Sequence, residues 1–383
     1  MRLDKQKLAD YNRGCVIELI SKRGPINRAE IAKQLKLSIP TIMKIADDFI
    51  DEGIIRIIGK GESTGGKRPL LYEIIEDAYY CIGLDIGRSK INTVLTNLQG
   101  KIVNKNLVNV KHLNTPGEFL EVIINEIELL IHKSNIPNEK IMGIGVGVPG
   151  IIDRKAGIVL YSSNFDWESI DLLTPLKEKF NFKIIIENSN RTMALGEKWT
   201  GVAQESDNTF CINIGHGIGA AILEKDTVYH GSSGTSGEFG HIVLQKDGPL
   251  CDCGNYGCLE ALSSGNAIAK KMQKKNAKEV FDLARQGDAI AIDVIDSAIE
   301  YLGIGIAGVI NLLDPEMVIL SGGIMKSYDM FWGKLTENIE KYKMKNTGLD
   351  VKITIGALGE DATAIGAAVQ LLKNFRNSGG QIV

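Results

Sequence analysis

Apolar residues recur at helical spacing from Leu8 to Ile20, and the Gly24-Pro25 pair interrupts this pattern, which predicts a helix over the stretch. A second, shorter helix is predicted after Asn27, whose side chain can cap it. Glu30 follows three residues later, at the spacing of a capping box. Together these signals predict a small helical unit near the start of the chain.

A third helix with a polar outer face is predicted after a tight turn. Ser38 is its expected cap, Pro40 lies in its first turn, and Gly53 marks its end. Ser38, Thr41 and Lys44 lie on the outward face near the start of this helix. A short helix, a tight turn and a polar-faced helix form the helix-turn-helix arrangement, which inserts its last helix into the major groove. We therefore expect these three residues to contact DNA.

A β-hairpin is predicted directly after the third helix. Its strands cover residues 54–58 and 70–75, and the glycine-rich segment 59–69 between them carries Lys67 beside Arg68. Such a hairpin tip, or wing, can contact phosphates or the minor groove, so both cations are expected DNA contacts. The alternative is a solvated helical packing module with a glycine-rich linker, and the wing favours DNA binding over it.

Charge is distributed unevenly along the 383 residues. Residues 1–70 contain 14 Lys and Arg against 9 Asp and Glu, a net charge of +5, and the remainder carries −8, although the whole chain carries only −3. This difference predicts that only the basic head binds a polyanion. No apolar run approaches the ~18 residues that span a bilayer, and the first residues do not resemble a signal peptide. We therefore expect a cytoplasmic protein with no membrane partner.

Two similar glycine-containing hairpins occur in the acidic remainder of the chain, which we call the body. The first follows a buried strand and contains Asp85 and Gly87, and the second contains Gly215, His216 and Gly217. This repetition predicts a duplicated α/β unit, whose hairpin turns let backbone N–H groups approach an anion as phosphate loops do.

Two further glycine patterns, at residues 145–150 and 303–308, fit the G-x-G-x-x-G fingerprint of dinucleotide-binding folds. The fingerprint has that meaning only where a strand precedes it and a helix begins at it. The first pattern ends a predicted strand and continues into an extended segment, and the second lies within a predicted helix of small residues. A nicotinamide-dependent dehydrogenase is therefore disfavoured.

The six cysteines are too few for a disulfide scaffold, but three of them lie close together. Cys251, Cys253 and Cys258 fall within eight residues and follow His241. One imidazole and three thiolates form the closed tetrahedral Cys3His set of structural zinc sites, so we predict Zn²⁺ as a structural cofactor. A zinc protein that reads bases with this cluster is disfavoured, because the cluster lies in the acidic body.

Characteristic motifs occur along nearly the whole chain, at residues 63–69, 84–90, 147–150, Asn164 with Trp167, the Glu187-Asn188 pair, 238–241, the cysteine cluster and 318–323. Together these motifs resemble those of the ROK family of sugar repressors and sugar kinases. The resemblance implies an α+β winged helix-turn-helix over residues 1–75, followed by a two-lobed, duplicated α/β fold of the actin-like (ribonuclease H-like) sugar kinase type. The lobes are expected at residues 76–195 and 196–383, with the C-terminal helix returning to the first lobe. The resemblance also implies a homodimer or a dimer of dimers.

A sugar pocket lined by Asn164, Asn188, Glu238, His241 and Glu260 is implied by the same resemblance. Amide, carboxylate and imidazole groups suit this task, because they can donate to and accept from neighbouring hydroxyls, and unpaired partners penalise the wrong sugar.

The chain departs from the family's kinases at several positions that bear on catalysis. Those kinases have an aspartate base after the Glu-Asn pair, whereas this chain has Ser189, and loss of a general base costs on the order of 10²- to 10⁴-fold. Arg88 and Ser89 stand in the first phosphate loop where the kinases have glycine and threonine, and His216 replaces a threonine in the second. Asp85, which could hold Mg²⁺, is retained. Bulky side chains at both loops disfavour binding of ATP and Mg²⁺.

The sequence therefore predicts a transcriptional repressor without enzyme activity. A homodimer is expected to bind a palindromic operator in double-stranded DNA and to be released by a monosaccharide inducer bound between the lobes. The alternative is an ATP-dependent, glucokinase-like sugar kinase that carries a DNA-binding head. Xylose, glucose and N-acetylglucosamine all remain open as the inducer.

Overall fold

The computed structural model describes residues 5–60 and 68–382. The expected wing contact Lys67 lies outside the described residues, as does most of the hairpin tip. Within the described residues, no helix combines the length and the apolar character that crossing a bilayer requires.

The head contains three helices and a small sheet. Its elements are α1 (Lys5–Arg23), β1 (Ile26–Asn27), α2 (Arg28–Leu35), α3 (Ile39–Asp51), β2 (Ile55–Lys60) and β3 (Leu70–Ile74), with the strands in the order β1-β3-β2. Asn27 caps α2 and Ser38 caps α3, as the sequence predicts. Glu30 departs from the capping-box geometry, because its carboxylate accepts a hydrogen bond from the Asn27 side-chain amide at 2.8 Å instead of from the backbone.

The first lobe of the body is built on a five-stranded sheet in the order β11-β7-β4-β5-β6. Its elements are β4 (Tyr80–Ile86), β5 (Lys90–Asn97), β6 (Ile102–Asn109), α4 (Pro116–Ser134), β7 (Ile141–Val148), α5 (Leu173–Lys179), β11 (Lys183–Asn188) and α6 (Ser189–Trp199), with a 3-10 turn at Asn138–Lys140. Three short strands form a separate antiparallel sheet beside it: β8 (Ile151–Asp153), β9 (Ile158–Ser162) and β10 (Trp167–Asp171).

The second lobe repeats this plan with a sheet in the order β14-β13-β12-β15-β16. Its elements are β12 (Asn208–Ile214), β13 (Ile218–Glu224), β14 (Thr227–Val228), α7 (Leu259–Ser263), α8 (Gly265–Lys271), α9 (Ala277–Arg285), α10 (Ala289–Leu313), β15 (Met317–Ser321), α11 (Trp332–Tyr342) and β16 (Lys352–Ile355), with 3-10 turns at Phe239–His241 and Gly323–Met330. A 3-10 turn at Gly359–Asp361 then leads to α12 (Ala362–Asn377), which returns to the first lobe. In each sheet the first three strands pair antiparallel with their neighbours in the chain, and the fourth strand joins the first in parallel. The duplication predicted from the two glycine hairpins is therefore visible in the strand order.

Neither dinucleotide-like glycine pattern joins a strand to a helix. Residues 145–150 run from β7 into the turn before β8, and residues 303–308 lie within α10. Glycines instead allow close packing of the last helix: a Cβ at Gly83 or Gly145, in β4 and β7, would overlap backbone carbonyl oxygens of α12. Helix α12 therefore packs directly on the sheet of the first lobe, and a Cβ at Gly366 would likewise overlap the backbone of α6.

The head shares its hydrophobic core with the body. One cluster of buried side chains runs from Ile17 and Ile20 of α1 into Leu372 and Phe375 of α12. At the contact between these two helices, a Cβ at Gly14 would overlap the Arg376 carbonyl oxygen, so α1 and α12 approach closely.

Polar contacts reinforce this junction between head and body. Arg376 stacks over the Trp199 ring at 3.7 Å and donates to Ser21 Oγ at 2.7 Å, and Arg13 donates to the Gly379 carbonyl at 2.8 Å. The head is thus packed against α12 rather than connected to the body only by the polypeptide chain.

Candidate functional site

The four residues predicted to bind metal lie together. The ligand atoms of His241, Cys251, Cys253 and Cys258 all lie within 4.8 Å of one another. Cys251 Sγ is 3.6 Å from His241 Nδ1, and the sulfurs of Cys253 and Cys258 are 3.6 Å apart. A tetrahedral zinc with sulfur ligands at ~2.3 Å separates those sulfurs by about 3.8 Å, so the spacing of the side chains fits the ion.

Glycines shape the segment that carries these cysteines. Gly254 and Gly257 have φ angles of +90° and +74°, and a Cβ at Gly257 would overlap the Gln245 carbonyl oxygen. Burial raises the pKa of the Cys251 thiol to about 12 and also raises that of Cys258. A bound cation would reverse this effect, because the thiolate is the form that binds metal.

Three of the residues predicted to bind sugar lie beside the metal-ligand set. Because His241 Nδ1 faces Cys251, its Nε2 lies on the other side of the ring, 3.9 Å from Glu238 Oε2. Burial raises the pKa of Glu238, and the neighbouring Glu260 carboxylate adds to the shift against the opposing charges of His241 and Arg191. Glu260 itself accepts a hydrogen bond from the Ile218 backbone at 2.7 Å.

Asn188 lies at the end of β11, where its side chain caps α6. Its Oδ1 accepts from the backbone N–H groups of Asn190 and Arg191, and its Nδ2 donates to the Gly150 carbonyl at 2.9 Å. The Arg191 side chain reaches the carbonyls of Gly234 and Ser236, in the segment just before Glu238. The structure thus links Asn188 with the Glu238 region of the second lobe.

Asn164 is placed differently from the other four predicted sugar ligands. It lies exposed in the turn before β10, and its carbonyl accepts a hydrogen bond from Arg88 in the first loop. Among the described residues, no hydrogen bond joins Asn164 to Asn188, Glu238, His241 or Glu260.

The first hairpin loop places an acid at the end of a strand and a bulky cation beside it. Burial raises the pKa of Asp85 to about 7, which disfavours the ionised form that would hold a metal ion. Gly87 donates to the Lys90 carbonyl at 2.9 Å, and Ser89 accepts from Val110 at 3.0 Å.

The second hairpin loop is bound to the start of α8. The carbonyls of Gly215 and His216 accept from the backbone N–H groups of Gly265 and Asn266 at 2.9 and 3.1 Å, and Gly215 donates to Gly217 at 2.9 Å. The His216 ring lies 3.2 Å from the Asn266 side chain. These first N–H groups of α8 therefore already have partners, whereas an anion at a helix N-terminus needs such donors free.

Glu187 is a functional candidate that sequence reasoning did not assign. Its buried carboxylate contacts Arg154 Nε at 2.7 Å, His230 Nε2 at 2.9 Å and Arg191 Nη1 at 3.3 Å. Burial opposes ionisation, but the hydrogen bond from His230 and the charge of Arg154 hold the pKa of Glu187 below its usual range. Since His230 belongs to the second lobe, Glu187 joins the two lobes. The one sign of this role in the sequence is that an acidic residue, Glu187, follows three isoleucines at the end of a predicted apolar strand.

Glu197 is a second residue that sequence reasoning missed. It is fully buried in α6 and accepts from the backbone N–H groups of Val202, Ala357 and Leu358 at 3.1, 3.2 and 3.0 Å. Val202 lies between α6 and β12, and Ala357 and Leu358 lie between β16 and α12, where the chain passes from one lobe to the other. The Glu197 carboxylate therefore binds both connecting segments.

The predicted DNA contacts in the head have distinct surroundings. Ser38 Oγ and Thr41 Oγ1 are 2.7 Å apart, and the Ser38 oxygen also accepts from the Thr41 backbone, so both hydroxyls have a local partner. Lys44 and Arg68 are exposed.

Comparison with known proteins gives matches to both parts of the chain. A winged helix-turn-helix DNA-binding model matches residues 11–56, and a ROK family model matches residues 81–374. The xylose repressor of Bacillus subtilis is 32% identical over 97% of both chains, and the glucokinase of Thermotoga maritima is 33% identical over 75% of this chain and 95% of its own. The crystal structure of a ROK family transcriptional regulator, a homolog of the E. coli MLC protein, superposes with a TM-score of 0.84 at 27% identity over 98% of both chains.

Proposed function

The chain belongs to the ROK family, and from that premise we propose that it is a sugar-responsive transcriptional repressor. In this proposal a homodimer binds a palindromic operator through two winged heads, and a monosaccharide bound between the lobes of each body releases it. The winged helix-turn-helix followed by the actin-like sugar kinase fold is the architecture that these two tasks require. A location in the cytoplasm, where the operator is, belongs to the same proposal.

Zinc is proposed to stabilise the segment beside the sugar pocket. The Cys3His geometry and the burial of Cys251 and Cys258 support this role. His241 would bind the metal through Nδ1 and leave Nε2 toward Glu238, so the ion would fix the orientation of a sugar-binding side chain.

One observation carries the proposal: α6, α12 and α1 form a continuous packed path between the predicted pocket and the head. Asn188 of the pocket caps α6, a Cβ at Gly366 of α12 would overlap the backbone of α6, and Arg376 of α12 contacts both Trp199 of α6 and Ser21 of α1. A sugar that moves the start of α6 therefore acts on a rigid contact with the head. The sugar can shift the equilibrium between the operator-binding and the released arrangement of the protein only by the difference in its affinity for the two.

The decisive experiment measures binding to an operator selected from random duplexes with the full chain. Fluorescence anisotropy is recorded with D-xylose, D-glucose or N-acetylglucosamine, with L-glucose as the control sugar. D-Xylose is the first candidate, because the B. subtilis relative is a xylose repressor. We expect one of the three sugars to raise the Kd for DNA about tenfold or more. Operator binding that none of the three changes would contradict the proposal.

A substitution in the pocket separates sugar binding from DNA binding. Glu238→Gln should abolish the sugar response and leave the Kd for DNA without sugar unchanged, since within the described residues Glu238 pairs with His241 and has no hydrogen bond or ion pair with the head. Glu168→Gln, at an exposed position in β10, is the matched control and should retain the response. A full sugar response in Glu238→Gln would remove this residue from the proposed pocket.

The second candidate function is a sugar kinase, which the identity to the glucokinase of T. maritima favours. Ser189, at the position of the kinase base, is buried in the first turn of α6 and offers no carboxylate. We expect a coupled assay to detect no sugar-dependent ADP formation above background. Turnover of about 1 s⁻¹ or faster would establish the kinase instead.

A further inference from the structure

Helix α3 exposes two apolar side chains beside its core-facing stripe. Its buried stripe, Ile42, Ala46 and Phe49 among others, packs inside the head. Ile39 and Met43 are 46% and 39% exposed. Because they are four residues apart, they are neighbours on one helical face. This small apolar surface has no partner among the described residues, although solvent-facing positions of a helix are ordinarily polar.

The charges around this apolar pair differ between the two halves of α3. Lys36 in the turn before the helix and Lys44 beside Met43 are exposed, and the first turn contains no acidic residue. Acidic residues occur only from Asp47 onward, and Asp48 and Glu52 lie 3.2 and 2.7 Å from Arg13. The first half of α3 therefore presents an apolar patch bordered by cations, which suits a polyanion that also displays apolar groups.

Duplex DNA is a polyanion that displays an exposed apolar group at one kind of base. In the major groove, thymine alone among the four bases displays a methyl group, and apolar side chains make contact with it. The hydroxyls of Ser38 and Thr41 already have local partners. Ile39, Met43 and Lys44 are the exposed side chains in the first half of α3 that remain available for contact with DNA. A helix-turn-helix inserts this end of the helix into the major groove.

We infer that Ile39 and Met43 recognise the 5-methyl groups of thymines in the operator and so contribute to its sequence specificity. This inference rests on the proposed DNA-binding function and assigns two of the side chains that recognise the operator sequence. Neither side chain belongs to the buried core, so replacing either with alanine leaves the fold of the head intact, and alanine is the best helix former.

The test compares thymine with deoxyuridine, which keeps every hydrogen-bonding group and lacks only the methyl. Thymines of the selected operator are replaced one at a time, and the Kd is measured by fluorescence anisotropy. Wild-type protein should lose about fourfold in affinity for each contacted methyl, the value of one buried CH₂-sized group. Ile39→Ala and Met43→Ala should each bind the thymine and deoxyuridine operators equally at the position that the lost side chain contacts.

The control is Ile290→Ala, an exposed apolar position of α10 in the body, which should retain full discrimination. If wild-type protein binds both operators equally, or if both head variants keep the discrimination, the inference is overturned while the proposed function stands. Met43→Ala could instead change the oligomeric state and still distinguish thymine from deoxyuridine operators. That result assigns the apolar patch to a protein interface and also overturns the inference. Failure to select any duplex overturns both the inference and the proposed function.

Discussion

The head and the cysteine segment are two small regions attached to the body in opposite ways. The head contributes buried apolar side chains to a cluster that continues into α12. The cysteine segment, residues 242–258, instead leaves Val243, Leu250 and Tyr256 more than half exposed. It has few apolar contacts to hold it in place, and its three cysteines converge with the preceding His241 on one point.

The difference separates two sources of local stability. Burial of apolar surface holds the head, at roughly 25 cal/mol per Å², and requires no cofactor. A short segment that buries little must gain its stability from disulfides or a metal ion. The position of the head should therefore respond to changes in packing, whereas the order of residues 242–258 should respond to metal.

The largest expected effect comes from removing one metal ligand. Cys253→Ser should reduce bound Zn²⁺ from about one per chain to none and destabilise the second lobe by more than about 4 kcal/mol, because metal binding is coupled to folding. Elemental analysis and thermal unfolding measure the two effects. Cys15→Ser, outside the ligand set, is the control and should retain zinc. Retained zinc in Cys253→Ser would exclude this ligand set.

The next effect tests the close contact between α1 and α12. Gly14→Ala places a methyl group against the Arg376 carbonyl oxygen, so the helices must separate, at a cost of about 3 kcal/mol. Hydrogen exchange should become faster in α1 and in residues 375–380, and zinc content should not change.

The control for this substitution is a helical glycine with open space around it. Gly117→Ala, in the first turn of α4, meets no atom within 4 Å and should be neutral or stabilising by roughly 0.5–1 kcal/mol. Equal effects of the two alanines would refute the importance of the close contact.

A smaller effect is expected at Arg376. Burial lowers its pKa to about 10, so the guanidinium stays charged at neutral pH. Arg376→Met keeps much of the side-chain volume but removes the stacking on Trp199 and the hydrogen bond to Ser21, which should cost about 2 kcal/mol. Denaturant unfolding gives the free energy, and operator affinity should show a weakened sugar response. An unchanged response would exclude Arg376 from the path between pocket and head.

The smallest effect concerns an ion pair across the same junction. Lys22 lies 3.6 Å from Asp226, and both side chains are about half exposed. Asp226 also lies 3.5 Å from Lys198, whose side chain is buried. Asp226→Asn should therefore cost about 1 kcal/mol, and less in 1 M salt. Asp282→Asn removes a similar pair within α9 and is the control, since hydrogen exchange in α1 should change only in Asp226→Asn.

The pH dependence of this pair has a definite sign. Burial opposes ionisation of Asp226, but Lys22 and Lys198 hold its pKa below the usual value of 3.8. A lowered pKa contributes stability above the usual value, and this contribution is lost as the pH falls through the lowered one. The difference in unfolding free energy between wild type and Asp226→Asn should therefore vanish in acid below pH 3.8. A difference that grows with acidity would contradict this reading.

Local features of the fold and the site were predictable because their partners are close in sequence. Asn27 and Ser38 bond to N–H groups within three residues, so the helix starts could be read directly from the residue types. The spacing of the cysteines likewise predicts the metal-ligand set, because each thiolate and imidazole has few other roles in such a cluster.

Contacts between distant parts of the chain could not be predicted in this way. Arg13 and Gly379 are 366 residues apart, and His230 meets Glu187 across 43 residues. Such pairs depend on how helices and sheets pack, which periodicity does not encode. Glu197 shows the limit most clearly, because its partners are backbone groups, and any residue type except proline could supply those N–H donors.

The packing of α1 against α12 has a consequence for how the protein is made. A ribosome synthesises α1 before α12, and the helix that completes the core of the head emerges 339 residues after the end of α1 (362 − 23). Early domains commonly fold as units during translation. This head instead remains without part of its hydrophobic core until α12 has left the ribosome. A chain shortened before residue 362 would therefore carry the complete head sequence yet lack the surface against which the head packs.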